Sequence, residues 1–321
     1  MDLDSIKEKV LNGGAVTKAE ALYLTTVDID KLGKAADEIR NHFCGNKFDM
    51  CAVMSVKGGR CSENCKFCSQ SCVSKAEIPS FKVRETDFVK EDAMAHSGLG
   101  ISHYCQVASG RKMNDEGIDI ICKNTEAIVE NTDLTPCVSL GLLTKDDLLK
   151  LKKSGVKRVH NNLETGPAYF PKVCTSHTYE EKLETIRLIR ECGLELCSGG
   201  IFGIGESWKD RIDMAFILRE FKPESVPVNM LNPVKGTPMG DRPVLTEEEV
   251  MRIICVYRFI LPTSFIRLAA GRDYLEDGGN LLFTNGCNAT ITGNMVTVKG
   301  ISIKEDLSSI EKMGFDLNCA G

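Results

Sequence analysis

Three cysteines crowd into eight residues: Cys61, Cys65 and Cys68, in the run Arg60-Cys-Ser-Glu-Asn-Cys-Lys-Phe-Cys-Ser69. A closed iron–sulfur cluster takes four thiolates, so three at this spacing can wrap one face of a cubane and leave the remaining iron open. An open metal position separates a site that does chemistry from one that only holds a fold. The alternatives are a zinc knuckle, with Cys72 as the nearest fourth thiol, and cysteines that share a loop by accident.

The spacing Cys-x-x-x-Cys-x-x-Cys, with Phe67 just before the last cysteine, resembles the signature of the radical S-adenosylmethionine enzymes. That resemblance implies a [4Fe–4S] cluster on Cys61, Cys65 and Cys68. The open iron chelates S-adenosylmethionine, one electron splits the sulfonium, and the resulting 5′-deoxyadenosyl radical takes hydrogen from unactivated carbon. Phe67 then lies near the adenine.

The elements that must position such a site follow from periodicity and end signals. Thr144 with Asp147 caps a helix over 146–153 that stops at Gly155, and Thr178 with Glu181 caps the next, which stops at Gly193. Thr246 with Glu249 opens a third. Between and around these lie apolar, strand-like runs at 50–56, 101–108, 136–140, 156–163, 194–202, 226–231, 265–269 and 289–292. Eight strands alternating with helices predict parallel pairing, because each crossover needs a helix-length connection. The expected fold class is therefore α/β, a TIM-type (β/α)8 barrel over 49–300, with an N-terminal helical extension over 1–48 and a short helix and tail over 301–321. The length of 321 residues suits such a barrel, about 250 residues plus extensions.

Bulk properties narrow the class further. A net charge of −5 and a pI near 5.7 give no basic excess, so no nucleic-acid partner is implied. No apolar run reaches the roughly 18–20 residues of a membrane span, and the first residues have no signal-peptide pattern. Fifteen cysteines in a chain of this kind read as metal ligands and buried thiols rather than disulfides, in a cytoplasmic setting.

In a barrel, functional groups gather at the C-terminal ends of strands and in the loops beyond. Cys105, Cys137 and Cys197 lie on the second, third and fifth expected strands and Arg267 on the seventh, so all four can converge although far apart in sequence. Core packing of the cysteines as small hydrophobes is the competing reading, and an ion pair or a carboxylate anchor is the competing reading for Arg267.

Further stretches narrow the resemblance: His160-Asn-Asn-Leu-Glu-Thr165, Cys197-Ser-Gly-Gly-Ile-Phe-Gly-Ile-Gly-Glu206, Ser225-Val-Pro-Val-Asn-Met-Leu231, Lys235-Gly-Thr-Pro238 and Arg267-Leu-Ala-Ala-Gly-Arg272. They resemble the biotin synthase family. The resemblance implies a barrel homodimer that inserts sulfur into dethiobiotin to form biotin, drawing electrons from a donor such as flavodoxin or ferredoxin. It also implies an auxiliary iron–sulfur cluster as sulfur source, [2Fe–2S] in the best-known members, on Cys105, Cys137, Cys197 and Arg267. Phe67, Asn162, Glu164, Lys182, Ile201 and Met230 fall where the family contacts S-adenosylmethionine, and His160, Asn162 and Asn229 where it contacts substrate. The chain departs from the common pattern at His160, where an asparagine is expected, and at Glu164, a longer acid than usual. Extra thiols at Cys72, Cys174 and Cys287 raise the expectation of a larger auxiliary cluster with an added cysteine ligand. The rival readings are a radical enzyme of the hydrogenase-maturase or methylornithine-synthase kind, and a non-catalytic metal-binding module.

Overall fold

The computed structural model describes residues 1–294 and 300–317. Nine short strands form one sheet: β1 (Asp49–Lys57), β2 (His103–Ala108), β3 (Thr135–Ser139), β4 (Arg158–His160), β5 (Glu195–Cys197), β6 (Gly200–Phe202), β7 (Ser225–Met230), β8 (Phe265–Leu268) and β9 (Ala289–Thr292). All pairings are parallel. The order β5-β4-β3-β2-β1-β9-β8-β7-β6, with an added β5–β7 pairing, closes the sheet on itself. Helices connect most strands, so the architecture is the (β/α)8 barrel expected from the sequence, and closure leaves no edge strand unpaired.

Nine strands fill eight positions because the fifth expected strand is broken. Its first half, β5, pairs with β4, and its second half, β6, pairs with β7. The break falls at Ser198-Gly199, where a Cβ on residue 199 would stand 2.0 Å from the carbonyl oxygen of Pro227. Glycine is needed there for one strand to approach another. The fourth expected strand is also shorter than its apolar run. It stops at His160, and the next residues run on beside the fifth strand, with Asn161 N–H on Cys197 O and Leu163 N–H on Gly199 O, until Glu164 bridges to Gly200.

Helix ends follow the capping logic. Thr17, Thr144, Thr178, Ser207 and Ser302 each form a complete capping box with the acid three residues on. Helix Lys145–Ser154 ends at Gly155 with φ 112°, a left-handed conformation that costs glycine nothing. Helices Leu3–Leu11, Lys18–Leu24 and Ile29–Cys44 precede the barrel, and the last of them packs on Glu247–Ile260 of the outer ring. Helix Ile303–Lys312 follows β9. The expected tail beyond 317 and the span 295–299 lie outside the described residues.

Strand alternation divides the side chains between two cores. Met50, Ala52, Tyr104, Val138, Val159, Leu196, Val226, Val228, Ile266 and Leu268 join the large apolar core of the protein. Their neighbours one residue along, among them Cys51, Cys105, Cys137, Arg158, Cys197, Pro227 and Arg267, line a cavity inside the barrel. The apolar layer between strands and helices carries the stability, and the interior is free to be polar and sulfur-rich.

Candidate active site

A cavity of about 480 Å³ runs from the loop after β1 down into the barrel, and two sets of thiols line it. Cys61, Cys65 and Cys68 form its mouth. Their loop is held by its own backbone: Cys61 N–H donates to Gln70 O at 2.7 Å, Cys68 N–H to Cys65 O at 3.2 Å, and Cys72 N–H to Glu63 O at 3.0 Å. Burial pushes the Cys61 and Cys68 thiols up. Cys65 is pushed up chiefly by its hydrogen bond with Cys174, 3.7 Å away, and then by burial. The same hydrogen bond pulls Cys174 down, helped by His177 and Ser176.

The second set lies deeper. Cys105 and Cys137 are direct partners in the β2–β3 register, Cys197 ends β5, and Cys51 stands on β1 two residues before Val53, the partner of Cys105. Cys51, Cys105 and Cys137 share one apolar cluster with Val53 and Val107. All four thiols are buried, and burial pushes every one of them up, Cys51 to about 12. The described cysteines are all free, so nothing covalent competes for them.

Cys51 is the functional candidate that motif reading passes over. Its run is apolar on both faces, as in a strand covered on both sides, so the pattern does not say which alternate residues face inward. Spacing offers no help either, because its partners come from three other strands. Only the pairing of β1 with β2, which sets Val53 opposite Cys105, shows that Cys51 faces inward.

Arg267 lines the cavity beside these thiols, yet four of its five N–H donors are engaged elsewhere. Nε donates to Ser225 Oγ at 3.0 Å, Nη1 to the carbonyls of Asp49 at 3.2 Å and Thr290 at 2.6 Å, and Nη2 to Asp49 Oδ2 at 2.7 Å. Asp49 also accepts from Arg158 at 2.9 Å and faces His103 Nδ1 at 2.8 Å. Burial alone would raise the Asp49 carboxyl, but Arg267, His103 and Arg158 outweigh it and hold it well below the usual carboxylate range. The result is a charged floor across the barrel under the thiols.

The three extra thiols stand apart from the strand set. Cys72, Cys174 and Cys287 do not line the barrel cavity. Cys72 is exposed on the loop, Cys174 sits against Cys65 at the mouth, and Cys287 packs in the apolar core with Ile266 O at 3.1 Å. None of the three lies on a strand, and the loops and helix end that carry them keep them from the interior.

The remaining expected residues gather around the mouth. Phe67 and Ile201 join an apolar shelf with Val173, Ile204, Leu231 and Met239. Asn162 accepts from Gly199 N–H at 3.0 Å and donates to Glu164 Oε2 at 3.4 Å. Lys182 is buried rather than solvated, donating to Asn162 O at 3.0 Å with Glu164 Oε1 at 3.7 Å. Glu164 itself takes φ 70°, a strained value for a non-glycine residue, on the turn that crosses the mouth. Asn229 donates to Gly200 O at 3.0 Å, and Met230 is buried at the wall. His160 Nδ1 lies 3.4 Å from Cys197 Sγ, and burial pushes its imidazole down to about 4, so it is neutral at ordinary pH.

Sequence comparisons bear on this geometry. Residues 55–218 match the Radical SAM superfamily, and residues 227–316 match the Biotin and Thiamin Synthesis associated domain. Biotin synthase of Clostridium botulinum (strain Langeland) is 45% identical over 97% of this chain and 98% of its own length. The chain belongs to the biotin synthase family. The biotin synthases of Brachyspira hyodysenteriae and Akkermansia muciniphila are similar at 43% and 42% identity, over 99% and 98% of this chain and 95% and 98% of theirs. Among solved structures, methylornithine synthase superposes with a TM-score of 0.83 at 20% identity, covering 97% of this chain and 96% of that one. A maturase of the [FeFe]-hydrogenase gives 0.82 at 20%, covering 97% and 74%. At that identity these two share the fold only. As a biotin synthase family member, the chain is a radical S-adenosylmethionine sulfurtransferase that uses a [4Fe–4S] cluster, S-adenosylmethionine and an auxiliary iron–sulfur cluster. The donor chemistry fits that inventory: two separate sets of free cysteine sulfurs face one cavity, with an apolar shelf and the amide, carboxylate and ammonium groups of Asn162, Glu164 and Lys182 between them. No helix among the described residues is long and apolar enough to cross a membrane.

Proposed function

We propose that the chain converts dethiobiotin to biotin, with Cys61, Cys65 and Cys68 holding the [4Fe–4S] cluster and Cys51, Cys105, Cys137 and Cys197 holding the auxiliary cluster. The observation that carries this reading is the single cavity lined by both sets, which lets a substrate carbon meet a radical source and a sulfur source without leaving the barrel. When bound, the cluster and S-adenosylmethionine supply the 5′-deoxyadenosyl radical that methyl and methylene C–H bonds require, and the auxiliary cluster supplies sulfur.

The protein's own groups bind and orient. Glu164 and Asn162 recognise the ribose and Lys182 the carboxylate of S-adenosylmethionine, while Phe67, Ile201 and Met230 shield its adenine and methionine parts. His160, half-buried and held neutral by desolvation, and Asn229 offer donor and acceptor atoms to the cyclic urea of dethiobiotin without a net charge. Four thiolates close an ordinary iron–sulfur cluster, so Arg267 stands outside the ligand set. An arginine stays protonated at ordinary pH, and here Asp49 stabilises that state. Residues 49–300 form the catalytic barrel, with 1–48 and 301–321 as extensions. A cytoplasmic homodimer served by a flavodoxin or ferredoxin completes the reading.

The test is a single-turnover incubation of anaerobically reconstituted protein with S-adenosylmethionine, a reductant and dethiobiotin. Both 5′-deoxyadenosine and biotin should form. 5′-Deoxyadenosine without biotin would remove dethiobiotin as the substrate.

A further inference from the structure

Cys174 and His177 have no part in either set of cluster thiols, yet they stand against Cys65 in a geometry that suits a single ion. Cys65 Sγ and Cys174 Sγ are 3.7 Å apart, and Cys174 Sγ lies 3.4 Å from His177 Nδ1 and 3.8 Å from Nε2. The three ligand atoms all fall within 4.8 Å of one another. A tetrahedral zinc with metal–sulfur bonds of about 2.3 Å and metal–nitrogen bonds of about 2.0–2.1 Å sets its ligand atoms roughly 3.8 Å apart for two sulfurs and roughly 3.5 Å for sulfur and nitrogen. Two sulfurs this close suit one shared ion, since each iron of a cluster takes its own protein thiolate.

The surroundings match as well. Metal-bound histidines commonly give their other ring nitrogen to a carboxylate. His177 Nδ1 lies 2.5 Å from Glu63 Oε2, which leaves Nε2 for an ion. Glu63 is itself fixed by Ser176 Oγ at 2.7 Å and Arg111 Nη1 at 3.4 Å. Asn64 Oδ1 accepts from the N–H groups of Thr175 and Ser176, stapling the Cys174 loop to the cysteine loop. Cys174 and His177 are both buried.

We propose that Cys65, Cys174 and His177 bind one thiophilic divalent cation, zinc or ferrous iron, in the chain before its [4Fe–4S] cluster is built. Water takes the fourth position. Because Cys65 serves both sites, the ion and the cluster exclude one another. The ion holds the Cys65 loop until the cluster is built and must leave Cys65 for assembly, so excess zinc blocks it. The competition rests on the cluster reading of Cys61, Cys65 and Cys68 above; the binding of a single ion does not.

The experiment titrates Co²⁺ and then Zn²⁺ into the full-length chain freed of iron by chelator and reductant, with folding checked by circular dichroism. Beyond any Co²⁺ taken by the strand thiols, one equivalent that depends on Cys174 and His177 should bind with the absorption of a tetrahedral thiolate site, and Zn²⁺ should displace it. Cys174→Ala and His177→Gln should each weaken binding at least about tenfold, while Cys61→Ala and Cys68→Ala leave it unchanged. Absence of tetrahedral bands in the unsubstituted chain overturns the proposal. So does binding that survives Cys174→Ala but fails in Cys61→Ala, since the triplet alone would then hold the ion. As a second measurement, zinc added before iron and sulfide should slow cluster formation in the unsubstituted chain and not in Cys174→Ala; equal slowing in both overturns the shared site.

Discussion

Cys61, Cys65 and Cys68 come from one loop, held by hydrogen bonds within that loop, and they open on the cavity mouth. Cys51, Cys105, Cys137 and Cys197 come from four strands spread from position 51 to position 197, are buried, and rest on a charged floor of Asp49, Arg158, Arg267 and His103. The difference lies in what each set must tolerate. A loop triplet leaves one metal position free for a small molecule. A cage of strand thiols cannot move without moving the barrel, so it suits a group that must stay at a fixed distance from the substrate. Because local chain holds the first set and the whole fold holds the second, a single substitution should damage them in different ways.

The largest separation is expected at Cys65. Cys65→Ala should abolish 5′-deoxyadenosine formation from S-adenosylmethionine; retained cleavage, measured by chromatography of quenched reactions, would break the assignment of the loop set. Cys51→Ala should do the reverse, sparing 5′-deoxyadenosine formation while biotin formation falls to background, as for Cys137→Ala. If Cys51→Ala makes biotin normally and keeps its full iron content, the cage has three thiols and not four.

Asp49→Asn sharpens the comparison at the floor. It leaves buried Arg267 without its carboxylate and takes one of two from Arg158, which keeps Glu195, and removing one partner of a buried ion pair costs about 3–5 kcal/mol. Urea unfolding should show a loss of this size, and a loss below about 1 kcal/mol would mean that the floor is held by its other hydrogen bonds.

The smallest effect concerns pH. His160 has its folded pKa depressed to about 4, against about 6.5 in the unfolded chain. Between these values the unfolded state binds more protons, so stability falls as pH drops from about 6.5 to about 4 and is unaffected above. At 1.36 kcal/mol per unit the loss is at most about 3.4 kcal/mol. His160→Asn should flatten that part of the stability profile, and an unchanged acid limb would place the imidazole in contact with bulk water.

Much of this was legible without coordinates. The triplet declared itself by spacing, since loop ligands depend on near neighbours. The helix at Lys145–Ser154 declared itself by Thr144, Asp147 and Gly155, all within one or two turns of its ends. The barrel followed from the strand–helix alternation. The break in the fifth strand was not legible, because the demand for glycine at 199 comes from Pro227 on a neighbouring strand. Nor was the place of Lys182 legible, since a lysine in the first turn of a helix suits a solvated surface equally well and only the fold sets its ammonium on Asn162 O.

The sequence by itself determined the parallel barrel, the loop thiols and the family, because those depend on periodicity, end signals and local spacing. Only the tertiary structure decided that Cys51 joins the interior thiols, that Arg267 is bound to Asp49, and that Cys174 and His177 meet Cys65. Each of these is a meeting of side chains from different elements, set by strand phase and barrel closure, and neither phase nor closure is written in any one stretch of chain.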